Sequence, residues 1–260
     1  MKFPVIQSRF TAMILGLATM FVAMLPTASA NSIVLNSGSS VTYLNSGIAN
    51  GDFSSAFTNA NFTSAQTGAD ASILTVAAPG DSPLPGYYVA PNTTTELENA
   101  AWIGTNVNAA NPNGGVGDTA LYAISFTLPS NFTSASLTLY YAVDNEIGDK
   151  NAGIYINGTA LPNSTAIAQA CTTPPTCPAV NYDQQNSYTD ASITTLLHAG
   201  TNWLYIDDVN LGLQGGIIFS ADINYATSQF TSAPEPASAL LIGLGVLGLA
   251  FVARRKRAVS

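Results

Sequence analysis

The chain has 260 residues and a formal net charge of −8, and only 8% of its residues are charged. Two cations lie near the start and four near the end, so Lys150 is the one Lys or Arg between them. Fourteen of the fifteen acids lie in this middle part, which therefore carries a net charge of about −13. Such a surface repels a phosphate backbone, which excludes nucleic-acid binding through a basic footprint.

The start of the chain has the features of a secretory signal peptide. Lys2 and Arg9 precede an apolar segment over residues 12–25, and the small-residue site Ala28-Ser29-Ala30 follows. We predict passage through the secretion translocon and removal of residues 1–30 by signal peptidase. A first transmembrane helix is the alternative, but the segment is short and ends in Ala-x-Ala. Residues 31–233 would then form one exported domain.

The end of the chain contains three features in order. They are the triplet Pro234-Glu235-Pro236, an uncharged apolar run over residues 237–253, and the cations Arg254, Arg255, Lys256 and Arg257. At ~1.5 Å per residue the run is about 25 Å long, enough for one transmembrane helix across a thin hydrocarbon core. Clustered cations stay on the cytoplasmic side, so the bulk of the chain lies outside.

Residues 234–257 resemble a PEP-CTERM sorting signal. The resemblance implies that an exosortase recognises the triplet, in a Gram-negative bacterium that makes exopolysaccharide. It also implies transient anchoring in the inner membrane, followed by delivery to the cell surface or extracellular matrix. The alternative is an ordinary membrane anchor in which the two prolines only form a stiff spacer.

The exported part reads as a series of short strands. Early β-prone pieces lie at residues 32–35, 41–44 and 72–76, and two loops rich in Pro or Gly follow at residues 79–91 and 106–118. From Tyr122 onward apolar and polar residues alternate, as in half-buried strands. We predict strands near residues 121–128, 135–144, 153–156, 202–208 and 217–225, the first three as an antiparallel meander.

Two turn signals complete this pattern. Asn157-Gly158 predicts a tight hairpin turn. Residues 190–200 predict a brief helix, with Asp190 as its N-terminal cap, Gly200 at its end and His198 near its last carbonyls.

Together these elements predict an all-β fold, an antiparallel β-sandwich of the jelly-roll type, carried between the signal peptide and one C-terminal transmembrane helix. The predicted inward stripe consists of Phe126, Leu137, Leu139, Ile156, Leu204, Ile206, Phe219 and Ile223. The order of elements over residues 100–226 resembles galactose-binding-like jelly rolls, through Asp144-Asn145, Ile156-Asn157-Gly158 and Gly200-Thr201-Asn202. That resemblance implies glycan binding as one of the many uses of the fold.

Cys171 and Cys177 are the two cysteines. Export into an oxidising compartment predicts a disulfide between them that closes one small loop. A metal or redox role is the alternative, but two cysteines without a neighbouring histidine make a poor zinc site.

Oxygen ligands are concentrated in one acidic segment, which supplies Asp144, Asn145, Glu146 and Asp149. These residues would suit calcium, the one cofactor that the sequence allows, although their spacing matches no EF-hand. A solvated acidic turn is the alternative. Asp207 and Asp208 are consecutive, so in a strand they point to opposite faces, and we interpret them as surface or turn residues.

Aromatic side chains supply the candidate glycan contacts, because their broad apolar faces can stack on sugar rings. They are Tyr87 and Tyr88 on the first loop and Trp102 between the loops, with core packing as the preferred alternative for Trp102. The sequence predicts a non-catalytic surface or matrix protein associated with exopolysaccharide and able to bind glycans. An extracellular glycoside hydrolase-like enzyme is the second hypothesis, which requires two carboxylates in an open cleft.

Overall fold

The computed structural model describes residues 28–48, 51–74, 95–107, 117–167, 182, 185–212, 215–228, 242–243 and 245–246. The chain divides into two compact units, one made of residues 30–227 and the other of the two termini. The fold described below is that of the first unit. No helix in the described ranges is both long and apolar enough to cross a membrane.

Short and long strands account for most of the described chain. They are β1 Ala28–Asn36, β2 Thr42–Asn45, β3 Ala69–Asp70, β4 Ser72–Ile73, β5 Ile103–Gly104, β6 Ala120–Leu128, β7 Phe132–Asp144, β8 Glu146–Ala152, β9 Ile154–Ile156, β10 Thr159–Ala160, β11 Thr165–Ile167, β12 Asn186–Asp190, β13 Gly200–Val209 and β14 Gly216–Ser228. One α-helix, α1 Asn59–Gln66, and two single 3-10 turns, Thr95–Leu97 and Thr194–Leu196, complete the described elements of residues 30–227.

The strands form two sheets. In the first, the order is β12-β7-β14-β5-β4, and β1 also pairs with β14. In the second, the order is β10-β9-β13-β6-β2-β3, while β8 pairs with both β13 and β11. The pairings among strands β2 to β14 are antiparallel. The predicted all-β class with antiparallel sheets is therefore confirmed.

The core lies between the two sheets. Its main cluster contains side chains from β6, β9 and β13 of the second sheet together with side chains from β7 and β14 of the first. All eight residues of the predicted inward stripe are buried in that cluster, at 5% exposure or less. The alternation of apolar and polar residues thus predicted which face of each strand is buried.

The predicted meander is wrong, because successive strands alternate between the sheets. β6 and β9 belong to the second sheet, whereas β7 lies in the first, between β12 and β14. Periodicity fixes the buried face of a strand but not its neighbour. The predicted hairpin turn is confirmed: Ile156 pairs with Thr159, and Asn157 and Gly158 have φ values of 50° and 82°.

Helix α1 was not predicted from the sequence. It buries only Phe62 and Ala65 among eight residues, so its apolar periodicity is weak. Its start is fixed by a capping box, in which Thr58 bonds the backbone N–H of Asn61 and the Asn61 side chain bonds the backbone N–H of Thr58. Asn stands where this motif usually has Glu or Gln.

The predicted helix over residues 190–200 is wrong as well. Residues 186–190 form strand β12, and the only helical turn is the 3-10 turn Thr194–Leu196. Asp190 accepts a hydrogen bond from Ser192 N instead of capping a helix. The segment is therefore held by local turn bonds and by Ile193, which is buried in the main core.

Several sequence predictions lie outside the described residues. They concern residues 1–27 of the signal peptide, the Cys171–Cys177 disulfide, the Pro234-Glu235-Pro236 triplet with its basic cluster, and all but four residues of the predicted span. The described structure tests none of these.

Candidate functional site

Strand β13 organises both candidate regions of the domain. It lies between β6 on one side and β9 and β8 on the other, with Tyr205 opposite both Ala123 and Tyr155. Because side chains alternate along a strand, Leu204, Ile206 and Asp208 point between the sheets. Trp203, Tyr205 and Asp207 point to the outer face, where α1 and the segment before it pack.

A groove of about 350 Å³ runs along this outer face, between α1 and the start of β13. Its lining is Asn59, Phe62, Thr63, Gln66, Asn157, His198, Thr201, Trp203 and Tyr205. This volume is at the lower end of the roughly 300–1,000 Å³ range of small-ligand sites. The lining contains aromatic faces, amides and hydroxyls but no carboxylate and no Lys or Arg.

The floor of the groove is aromatic. The rings of Trp203 and Tyr205 stack at an interplanar angle of 25°, with centroids 6.4 Å apart. Tyr205 is buried beneath Phe62 of α1, whose ring centroid is 4.8 Å away, and its hydroxyl accepts a hydrogen bond from Gln66 Nε2. Trp203 is only half-buried. It therefore presents an indole surface to solvent while the rings below it fix its position.

One end of the groove is fixed by Asn157. Its Nδ2 donates to Leu196 O at 2.9 Å and to Asn202 Oδ1 at 2.8 Å, and its Oδ1 accepts from Trp203 N at 2.9 Å. His198 is exposed, with its Nδ1 3.0 Å from Ala199 O, which leaves Nε2 as the ring nitrogen that can meet a ligand. Hydrogen bonds within the protein thus fix the side chains at this end of the groove.

A buried carboxyl pair lies farther along the same face. Asp52 is 3% exposed and its Oδ2 accepts from Lys150 N, Asn151 N and Asn151 Nδ2, while its Oδ1 accepts from Phe53 N. Asp207 is fully buried, and neither of its oxygens has a donor in the described structure. Burial raises the pKa of Asp207 well above its usual range, and the neighbouring Asp52 carboxyl raises the pKa further.

Two more acids of β8 surround this pair. Glu146 is 2% exposed and its Oε2 has no hydrogen-bond partner. Burial raises the pKa of Glu146 to about 7, with the charges of Asp149 and Asp52 as smaller causes. No opposite charge offsets them here, because Lys150 is exposed and contributes only its backbone N–H to Asp52.

Asp208 belongs to a different environment, between the sheets. It is 2% exposed, and burial raises its pKa well above the usual range, with the charge of Asp144 as a further cause. Tyr122, whose hydroxyl has no partner among the described residues, lies on the same side of β6. The interpretation of Asp207 and Asp208 as surface or turn residues is therefore wrong. Asp207 is buried on the outer face of β13 and Asp208 between the sheets, as their alternate positions along the strand require.

The predicted calcium ligands do not form one set. Asp144 ends β7 and faces Asp208, whereas Glu146 and Asp149 lie on β8 near Asp52. Asn145 Nδ2 donates to Asp144 Oδ1 at 2.7 Å, and Asn145 Oδ1 accepts from Leu211 N. Within the described ranges, no three or more His, Cys, Asp or Glu side chains are placed to hold a metal ion.

The predicted glycan contacts have different outcomes. Trp102 is fully buried in a second cluster with Leu97, Ala142 and Ile218. It cannot stack on a sugar, so that prediction is wrong and the core-packing alternative holds. Tyr87 and Tyr88 lie outside the described residues. The groove at Trp203 was missed because its walls come from α1, the β9–β10 turn and β13, which only the three-dimensional packing brings together.

Comparison with known proteins gives one sequence match and several structural ones. Residues 232–257 match the PEP-CTERM protein-sorting motif, which confirms the resemblance found in the sequence. No curated protein sequence matches the chain. The motif implies export, a membrane-anchored C-terminus and processing by an exosortase.

The solved structures that match include two carbohydrate-binding modules. One is a family 35 carbohydrate binding module from Clostridium thermocellum, at 10% identity and a TM-score of 0.33, covering 73% of this chain and 97% of that one. Another is CBM35 from Paenibacillus barcinonensis, at 10% identity and a TM-score of 0.31, covering 76% and 99%. At these TM-scores the likeness does not assign a function.

Proposed function

We propose that the protein is an exported, non-catalytic surface or matrix protein that binds neutral glycan chains through the Trp203 groove. The observation that carries this proposal is the half-buried indole of Trp203, stacked on Tyr205 in a groove lined with amides and hydroxyls. The apolar C–H face of a sugar packs on an aromatic ring, and its hydroxyls pair with polar side chains at the edge.

Charge favours a neutral ligand. Anionic sugars are held best by Arg or Lys, and the groove has neither. Lys150 is the one such residue in the exported part, whose fourteen acids repel uronate or sulfate groups. Neutral exopolysaccharide at the surface of the host cell is the ligand that fits both this charge and the delivery that the sorting motif implies.

The enzyme hypothesis is less well supported. Carboxyl groups do converge at Asp52 and Asp207, as a glycoside hydrolase requires, but both are closed off from solvent. The groove that is open to a ligand contains no carboxylate. We therefore favour binding without cleavage.

A glycan array probed with residues 31–233 tests the proposal, in calcium and in a chelator. We expect binding to neutral glycans with equal affinity in both buffers, because no groove residue is a carboxylate. Retention restricted to anionic glycans, or release of reducing ends from a bound glycan, would contradict the proposal. Binding only in calcium would favour the calcium role predicted from the sequence.

A further inference from the structure

The acids on the outer face of β13 are tied to one wall of the groove. Asp52 starts the segment that leads to α1, and Phe53 and Phe57 of that segment pack edge to face with centroids 4.8 Å apart. Phe57 in turn packs on Phe62 of α1 at 5.9 Å, and Phe62 lines the groove. Two consecutive ring contacts thus connect the segment that begins at Asp52 to the groove.

The Asp52 carboxylate has its own donors. Four N–H groups point at its two oxygens, three of them from the backbone, so both oxygens of Asp52 act as hydrogen-bond acceptors. Asp207 has no donor, although it is fully buried beside Asp52. Two adjacent anions would repel strongly in this environment, whereas one proton between them supplies a hydrogen bond.

We propose that Asp207 is a neutral carboxylic acid that donates a hydrogen bond to the Asp52 carboxylate, and that it is a positioning residue for the Trp203 groove. The role of the groove rests on the proposed function, but the carboxyl pair does not. When Asp207 loses its proton, the hydrogen bond to Asp52 is replaced by repulsion between two carboxylates. The segment before α1 then loosens, and the groove opens around Trp203.

Other titratable groups face this pair. Asp149 and Glu146 come from β8 and Tyr155 from β9, whereas Asp208 lies on the opposite face of β13 and acts on Asp207 only through its charge. Lys150 contributes only a backbone N–H. On β6 the position opposite Asp207 is Leu121. Every ionisable side chain named here is acidic or neutral, so none of them compensates the charge of an ionised Asp207.

The test uses the full-length chain in detergent and needs no glycan. Infrared spectroscopy detects the C=O stretch of a protonated carboxylic acid, and Asp207→Asn should remove one such band. Acrylamide quenching then reports on Trp203, because the other tryptophan, Trp102, is fully buried. As pH rises from 4 to 10, quenching should increase at least twofold in the native chain.

In Asp207→Asn the amide keeps a donor for Asp52 and cannot ionise, so its quenching should stay constant. Asp222→Asn, a half-buried acid on the other sheet, is the matched control and should keep the native pH response. If Asp207→Asn and the native chain show the same quenching profile, or if the acid band persists in Asp207→Asn, the proposal is wrong. Neither result depends on whether the groove binds glycan.

Discussion

The side-chain oxygen of Asn157 accepts a hydrogen bond from the backbone N–H of Trp203 across 46 positions of sequence. The same amide donates to Leu196 O and Asn202 Oδ1, and Asn157 has a positive φ of 50°. A turn residue of the β9–β10 hairpin therefore holds the strand that carries the groove aromatic.

We expect Asn157→Ala to lower the free energy of unfolding by about 3 kcal/mol. Buried groups that lose their partners cost roughly 1–3 kcal/mol. The left-handed conformation costs an ordinary L-residue such as Ala roughly 1–2 kcal/mol, and Asn tolerates it better because its short polar side chain can hydrogen-bond locally. Chemical denaturation measures the change. Asn163→Ala is the matched control, since Asn163 is exposed and has a φ of 55°. Equal losses in the two variants would show that only backbone strain matters.

Trp203→Ala should weaken binding of the neutral glycan selected by the array at least tenfold, which is about 1.4 kcal/mol. The indole is the exposed aromatic face of the groove, and alanine leaves no surface for stacking. Isothermal titration measures the affinity. Trp203→Phe, which keeps a flat ring, should bind better than the alanine variant.

Tyr140→Ala is the control for this experiment, because Tyr140 is a half-buried aromatic on the first sheet, far from the groove in strand order. It should bind the glycan as the native chain does. If Trp203→Ala also binds normally while folded, the groove is not the glycan site.

Glu146 should make the domain less stable as the pH rises. Its pKa in the folded chain is about 7, above the value of roughly 4.3 for an unfolded chain, so protonation favours folding. Its stabilisation is present below about pH 4 and is lost between about pH 4 and pH 7, by up to roughly 1.4 kcal/mol per pH unit. Urea denaturation across this range should show a shallower pH slope for Glu146→Gln than for the native chain.

The exposed acid Glu98 provides the matched variant, Glu98→Gln, which should keep the native slope. A slope that does not change in Glu146→Gln would mean that Glu146 ionises alike in the folded and unfolded chain. The measurement is made at constant ionic strength, so that screening of the other acids stays the same.

The predictability of the fold from sequence differs between its parts. Strand faces could be predicted because alternation is local, and residues such as Leu137 and Phe219 are buried as expected. The order of strands in the sheets could not be predicted, because no local pattern shows that β7 pairs with β14 and not with β6. Helix α1 could not be predicted because only two of its side chains are buried, which leaves its apolar periodicity weak.

The candidate site was harder to predict from the sequence than the fold. Trp203 lies on a strand that was predicted, but its exposure depends on where α1 packs. Asp207 and Asp208 were correctly assigned to opposite faces, yet their burial depends on the segment at Asp52 and on the second sheet. Trp102 shows the converse: the sequence favours core packing for it although loops flank it, and strand β5 beside it carries the chain through a buried cluster.

Cys171 and Cys177 should form a disulfide in the exported protein. The reason is the oxidising compartment and the absence of any other cysteine in the chain. Mass spectrometry of a non-reduced digest should show the peptide lighter by two hydrogens than after reduction. Recovery of both cysteines as free thiols after alkylation at harvest would contradict the prediction.

Glu235→Ala should block maturation. The sorting motif at residues 232–257 implies an exosortase, and we expect Pro234 and Pro236 to keep the triplet extended and outside any helix. We also expect the four terminal cations to hold the C-terminus in the cytoplasm, which presents the triplet at the outer boundary of the membrane. The mass of surface-recovered protein from the native host, compared with that of the substituted chain, reports whether the segment after the triplet was removed.

Gln229→Ala, just before the motif, is the matched variant and should mature normally, while a host without the exosortase should accumulate the unprocessed chain. Glu235→Ala should match that host: full mass, retention in the membrane fraction and little protein at the surface. The charge of Glu235 is the feature under test, because both prolines and the apolar run are unchanged. If the native chain, Glu235→Ala and the exosortase-deficient host all give full-length protein at equal surface levels, the segment is an ordinary anchor.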